Sequence, residues 1–379
     1  MHGVKRLFGW MIPRFDASRF QVSLVSLRKR DLSEETLDAL GIDIRYLSRS
    51  KFDPATYGDL LRIVREKAID VLHLHGYGAT TFGRMVAARR RLPTVLHEHA
   101  NLTSTPWFQK VADRVLEPYT DIALAVSNST ADFVRQARLV RPERVHVVYL
   151  GAPIGEFGRA RTPAERAEAR AELGIAPEDV AIGTVTRLHD SKGNSFLVDA
   201  ARLVLNDRPR AKFFLFGEGP LRPALESQAA ALGLGDRFVF GGFVKDVARA
   251  LSAFDINVFP SLWEGTPLTA FEALAAGLPI VATDADGLKD ILTAERDAVI
   301  VPKRDATALA GGIVRLMDHP DQRVALGREA ATTARQYDID AFVRKMERLY
   351  VILHEHSRAT HRNVASVADM SFLTRRVDA

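Results

Sequence analysis

Short β-rich apolar runs alternate with amphipathic helical stretches along almost the whole 379-residue chain, and this rhythm narrows the choice of fold more than anything else in it. In the first half, runs at 20–27, 42–47, 71–75, 94–97 and 122–126 read as buried strands, with helical segments between them at 57–67, 83–90 and 107–116. A connecting helix is expected at 163–173. Strand-like runs then resume at 180–185, 212–216, 238–240, 256–259, 279–283 and 298–301. Such alternation implies right-handed βαβ units and parallel sheets with helices on both faces. The chain is too long for one ordinary core. The expectation is therefore an α/β protein of two doubly wound, Rossmann-like domains facing a cleft, with ligands beyond the carboxyl ends of the strands. The expected division is 1–155, 156–340, a helix at 341–356 returning to the first domain, and a mobile tail at 357–379.

Composition excludes several classes. At 47% hydrophobic and 26% charged residues, the chain is neither disordered nor collagen-like. It has no cysteine, which removes disulfides, thiolate-ligated zinc, iron–sulfur clusters and thiol nucleophiles. No apolar run approaches the ~18 residues of a spanning helix, and the run at 7–12 is too short for a secretory signal core. A cytoplasmic protein is expected. The formal charge is +5, but residues 1–150 hold 23 Lys+Arg against 16 Asp+Glu, whereas the remainder holds 29 against 31. A basic half suits an anionic partner such as a membrane surface or a phosphorylated acceptor; a charge-rich solvated surface is the competing account. Arg89, Arg90 and Arg91 read first as a solvated cluster at a helix end. The basic residues are scattered rather than gathered on a recognition element, so nucleic acid is not an expected partner.

Two loops carry the chemistry. After the strand at 256–259 the chain reads Pro260-Ser261-Leu262-Trp263-Glu264-Gly265-Thr266-Pro267-Leu268, and then a helix containing Glu272. Pro267 suits a helix start. The backbone N–H groups of Gly265, Thr266 and Leu268 would form an anion or hydroxyl site there. Glu264 and Glu272 are suited to accept hydrogen bonds from sugar hydroxyls; a solvated loop glutamate and a helix-capping one are the plainer alternative. After the strand at 180–185, Arg187 and Lys192 would neutralise a diphosphate, although taken alone they also read as solvated cations.

Taken together, Arg187-x4-Lys192, the turn Gly217-Glu218-Gly219-Pro220, and Glu264-x7-Glu272 followed by Gly277-Leu278-Pro279 resemble glycosyltransferase family 4. The resemblance is close over about 180–301 and looser over the first domain. It implies the GT-B fold and transfer of sugar from a nucleoside-diphosphate sugar to a glycan or lipid-linked acceptor, with retention at the anomeric carbon. It also implies roles: Arg187 and Lys192 hold the leaving diphosphate, Glu272 binds the ribose, and Glu264 with the backbone of Gly265, Thr266, Pro267 and Leu268 orients the transferred sugar. Of the histidines in Asp70-Val71-Leu72-His73-Leu74-His75 and His97-Glu98-His99, His99 resembles the family's residue that contacts the donor sugar. His73 and His97 also read as structural histidines. No metal and no further cofactor are implied.

Some features point elsewhere and are discounted. Gly217-x-Gly219 lacks the third glycine of a dinucleotide fingerprint, where Arg222 stands. Asp284-x-Asp286 reads as an ordinary loop. A glycosidase pair of Glu264 and Glu272 would leave Arg187 and Lys192 unexplained. The family usually opens with a hydrophobic strand before a Gly-containing loop; here Gly3 resembles that loop with no strand ahead of it, so the first domain is expected to lack its first, central strand, with a true start upstream as the favoured reading and a rebuilt, inactive domain as the other. Leu150-Gly151 stands where the family commonly has Asn-Gly. The competing functions are a nucleotide-sugar-binding protein without transferase activity and a sugar-nucleotide epimerase.

Overall fold

In the computed structural model the described residues are 3–30, 37, 39–50, 52–101, 106–360 and 369–375, with side chains to residue 357 in the helix that ends at 360. They form two compact units. One holds the chain up to Gly151 together with the stretch from Ile339; the other runs from Ala152 to Asp338.

In the first unit, β1 (Leu24–Ser26) and β2 (Ile44–Tyr46) make a two-stranded parallel sheet. A separate four-stranded parallel sheet holds β3 (Leu72–His75), β4 (Thr94–Glu98), β5 (Ile122–Ala125) and β6 (Val145–Val147), in chain order. Every residue of β4 and β5 is buried, as expected of parallel strands covered on both faces. No strand among the described residues joins β1 to β3. Helices Ala55–Glu66, Tyr77–Arg90 and Trp107–Leu116 lie in the connections. Two elements escaped the sequence reading: β6, and the helix Asn128–Ala137, whose N–H of Thr130 is capped by the Ser127 hydroxyl.

The long helix Ile339–Thr360 belongs to this unit, with Tyr350 against Phe15 and Phe20. The expected mobile tail from 357 needs correction. The helix runs on to Thr360, and Met370, Phe372 and Leu373 are buried around the short helix Ser371–Thr374. Arg348 lies 4.3 Å from the Phe372 ring centroid, and Lys345 donates to the Leu373 carbonyl at 3.2 Å. Four residues are too few to display a helical period, which is why the sequence shows no pattern there.

The second unit has one six-stranded parallel sheet of β7 (Val180–Val185), β8 (Ala211–Phe216), β9 (Phe238–Gly242), β10 (Ile256–Phe259), β11 (Ile280–Thr283) and β12 (Ala298–Val301). The spatial order is β12-β11-β10-β7-β8-β9. One face packs Ile182, Phe213, Leu215, Ile256 and Val258 with residues of helices Asn194–Asp207 and Ala306–Asp318. The other packs Ala181, Phe214, Phe216 and Phe254. The chain leaves β7 towards β8 and β9, then returns to the far side of β7 with β10. The carboxyl ends of β7 and β10 therefore flank the topological switch point, where a doubly wound sheet opens a crevice.

Leu373 is fully buried, so Leu373→Ala is expected to lower the unfolding free energy of the first unit by about 2–4 kcal/mol. Urea unfolding measures it; a tail without packing would leave the stability unchanged.

Candidate functional site

Three loops meet at the switch point. From β7 the chain passes through Arg187 and the turn Asp190–Lys192 into helix Asn194–Asp207. From β10 it passes through 260–267 into helix Leu268–Ala275. The N–H groups of Leu262 and Trp263 both donate to the Ser191 carbonyl, at 2.8 and 3.3 Å. Gly193 sits between these loops at φ +59°, where a Cβ would lie 2.0 Å from the Pro260 carbonyl oxygen. Gly287, after β11, brings the third loop so close that its Cβ would lie 1.6 Å from the Gly265 carbonyl oxygen. Only glycine permits either approach.

This scaffold joins two residues from opposite sides of the switch point. The Lys192 ammonium donates to both carboxylate oxygens of Glu264, at 2.7 and 2.5 Å, and the Ser261 hydroxyl donates to one of them at 2.7 Å. Glu264 is only 6% exposed, which rules out the solvated-loop reading. The sequence reading gave Lys192 and Glu264 separate tasks and did not foresee their contact. Gly265, Thr266, Pro267 and Leu268 are all buried, and no side chain caps the helix that begins there. Its first N–H groups are the natural place for an anion. Glu272 is fully buried in the second turn of that helix, past any capping position. Arg187 is exposed, and no hydrogen bond or ion pair among the described residues holds its guanidinium. Asp284 accepts from the N–H of Lys303 at 2.9 Å, an ordinary loop contact.

In the first unit the four histidines of β3 and β4 form one stack. Parallel pairing sets His75 opposite His97, and alternation puts all four rings on one face. Neighbouring rings lie 4.3–5.2 Å apart. His73 Nδ1 pairs with the Tyr350 hydroxyl at 2.5 Å and its Nε2 with His97 Nδ1 at 3.1 Å, while His75 Nδ1 pairs with His99 Nε2 at 2.8 Å. His97 Nε2 and His99 Nδ1 are buried without a hydrogen-bond partner among the described residues. Burial, with the neighbouring rings, pushes His73 down to about 3; burial pushes His99 down to about 4, and His75 and His97 also fall well below their ordinary value. All four are therefore neutral at pH 7. Nitrogens of His73, His75 and His97 lie within 4.8 Å of one another. Both nitrogens of His73 are engaged, by Tyr350 and His97, so a cation there would have to displace one of those bonds. Gly3 is the exposed first residue of helix Gly3–Met11.

Behind this stack lies a buried ion network that sequence reasoning missed. Arg138 makes two bonds to Glu98, at 3.0 and 2.9 Å, and one to Asp113 at 3.4 Å; Asp113 also pairs with Arg84. Arg84, Arg138 and Asp113 are fully buried. Burial raises the Glu98 carboxyl, and Arg138 opposes that shift. Nothing in the spacing of single charges marks such residues as internal.

Residues 179–319 match the family model described as glycosyl transferases group 1, and residues 2–155 match that of glycosyltransferase family 4. The 2-deoxystreptamine N-acetyl-D-glucosaminyltransferase of Streptomyces fradiae is 30% identical over 70% of this chain and 68% of its own. The UDP-Gal:alpha-D-GlcNAc-diphosphoundecaprenol alpha-1,3-galactosyltransferase of Escherichia coli is 24% identical over 68% of this chain and 69% of its own. Among solved structures, Anabaena HepE in complex with UDP-glucose superposes with a TM-score of 0.79, at 20% identity, over 92% of this chain and 96% of that one.

The histidine stack makes the first unit acid-sensitive. Below the ordinary pKa of 6.5 the unfolded chain takes up protons that the native one refuses, so stability is complete above pH 6.5 and falls as the pH drops towards 4. His73 and His99 should each contribute a slope approaching about 1.4 kcal/mol per pH unit. Urea unfolding between pH 7.5 and 4.5, followed by Trp10 and Trp107 in a Trp263→Phe background, measures the slope. His73→Gln should reduce it.

Proposed function

The chain belongs to glycosyltransferase family 4, and on that footing we propose that it moves a sugar from a nucleoside-diphosphate sugar to a glycan or lipid-linked acceptor with retention at the anomeric carbon. It is a transferase with the GT-B fold. The observation that carries the donor reading is the Lys192–Glu264 pair beside the uncapped start of helix Leu268–Ala275, at the switch point of the second unit's sheet. A cation, free backbone N–H groups and a fixed carboxylate suit one ligand well: a diphosphate carrying a polyhydroxylated ring.

In this reading Arg187 and Lys192 bind the diphosphate and stabilise the negative charge it gains as the bond to the sugar breaks. Glu264, held by Lys192 and Ser261, accepts from hydroxyls of the transferred sugar. Glu272 accepts from the ribose. His99, on the first unit, is assigned to the sugar, and Gly3 to the donor side. The bond from C1 to the diphosphate oxygen breaks, the acceptor oxygen bonds to C1, and the departing phosphate oxygen takes the acceptor proton. Two cations and helix N–H groups supply the charge stabilisation, so the reaction is proposed to need no metal.

The acceptor and the place of action belong to the same proposal. The E. coli relative is named for a diphosphoundecaprenol acceptor, and the basic first unit suits an anionic membrane surface. The chain is placed in the cytoplasm, at the membrane face. No described helix is long and apolar enough to cross a membrane. The family relationship does not favour an epimerase or a binding protein without turnover.

Arg187→Ala should lower kcat/KM by about 10²–10³ while leaving thermal stability unchanged, because its exposed side chain has no hydrogen-bond or ion-pair partner among the described residues to lose. Lys192→Ala should cost as much turnover and also destabilise the protein, since it leaves the Glu264 charge buried without its cation. Transfer from a panel of nucleoside-diphosphate sugars, with and without a chelator, is the assay. Wild-type rates in the double variant would refute the diphosphate assignment, and loss of activity with chelator would refute metal independence.

A further inference from the structure

The helix Trp107–Leu116 in the first unit is built the wrong way round for a water-facing helix. Its inward residues include Gln109 and Asp113, at 4% and 0% exposure, the latter tied to Arg84 and Arg138. Its exposed apolar residues are Trp107, Phe108, Val111 and Val115, at 77%, 44%, 55% and 65%. At 3.6 residues per turn these four fall within an arc of about 100°. An ordinary surface helix turns its apolar stripe to the core and its polar residues to water.

The apolar arc does not stand alone. Phe108 meets Trp107 edge-on at 6.1 Å and Phe52 at 5.7 Å, and Phe52 is itself 50% exposed. Met85, on the neighbouring helix Tyr77–Arg90, is 37% exposed, with Arg89 one turn further on. Lys110 and Arg114 flank the apolar arc on one side. The exposed positions from 106 to 119 include no acidic residue. A wide apolar helix face with Trp and Phe, edged by cations and with no carboxylate at its own exposed positions, has the chemistry of an element lying in the boundary between lipid headgroups and acyl chains.

We propose that helix Trp107–Leu116, with Phe52 beside it, docks the protein on an anionic lipid bilayer: Trp107, Phe108, Val111 and Val115 enter the headgroup boundary, and Lys110 and Arg114 meet the lipid phosphates. The network of Arg84, Asp113, Arg138 and Glu98 gives this helix a rigid base, because its inward carboxylate is fixed by two arginines. The inference deepens the lipid-linked reading above and rests on it for where the acceptor is met. Docking itself requires no turnover.

The test is sedimentation of the full chain with vesicles of phosphatidylcholine alone and of phosphatidylcholine mixed with phosphatidylglycerol. The wild type should bind the mixed vesicles far better than the neutral ones, with a blue shift of Trp107 fluorescence. Lys110→Gln with Arg114→Gln should weaken partition to the mixed vesicles by about thirtyfold, roughly five- to sixfold for each cation removed. Trp107→Ser with Phe108→Ser should abolish the binding. Both double variants should bind nucleotide sugar in solution as the wild type does. If the wild type remains in the supernatant with both vesicles, or if either double variant binds like the wild type, the proposal falls. Concentration-dependent dimers lost in Trp107→Ser with Phe108→Ser, without vesicle binding, would make the face a contact between copies and also overturn it. Vesicle binding without any nucleotide-sugar binding would sink the transferase reading and leave the docking intact.

Discussion

A buried carboxylate needs a partner, and the second unit is arranged around meeting that need for Glu264. Its charge is matched by Lys192, 72 positions away in sequence and delivered by a different strand. The contact exists because β10 returns beside β7, so that the loops leaving both strands lie side by side. Backbone hydrogen bonds to Ser191 fix one loop on the other, and glycines at 193 and 287 let the backbones approach. Removing either charge would leave the other enclosed without its counterpart, which costs several kcal/mol in a buried site. The same requirement prepares the site for its ligand. Lys192 is held in place by Glu264, with one N–H still to offer, so a diphosphate would find a cation that has already lost most of its freedom.

The first unit solves a similar problem in a different way. Its core carries two arginines, an aspartate and a glutamate in one connected network, next to four neutral histidines that hydrogen-bond among themselves and to Tyr350. The buried arginines and carboxylates balance one another, as burial demands. One consequence appears at the surface. Helix Trp107–Leu116 turns Asp113 inward to complete the network, and Trp107, Phe108, Val111 and Val115 are left outward.

How much of this was legible in the sequence depends on what periodicity can report. Apart from β6, the strands of both units announced themselves as apolar runs, since strands covered on both faces have no polar side to show. Glu264, Lys192 and Arg187 stood out because they follow strands, where ligands of parallel sheets gather. Their pairing did not, because it depends on strand order, and the run of apolar residues at 256–259 says nothing about which strand lies beside it. The histidines were visible as two alternating pairs, but the stack required the β3–β4 register. Nothing in the sequence singles out Arg84 and Arg138, and only their burial reveals the network. Helix Asn128–Ala137 was hidden by its polar first turn, and the packed residues Met370, Phe372 and Leu373 by their brevity.

The central claim is that the switch point of the second unit is the donor site. It is tested most directly by a crystal structure of the full chain with a bound nucleoside-diphosphate sugar. The account expects the diphosphate within hydrogen-bond reach of Lys192, Arg187 and the N–H groups that open helix Leu268–Ala275, with the ribose on Glu272 and the sugar on Glu264. A nucleotide bound elsewhere, with the Lys192–Glu264 pair untouched and no ligand at that helix start, would contradict it.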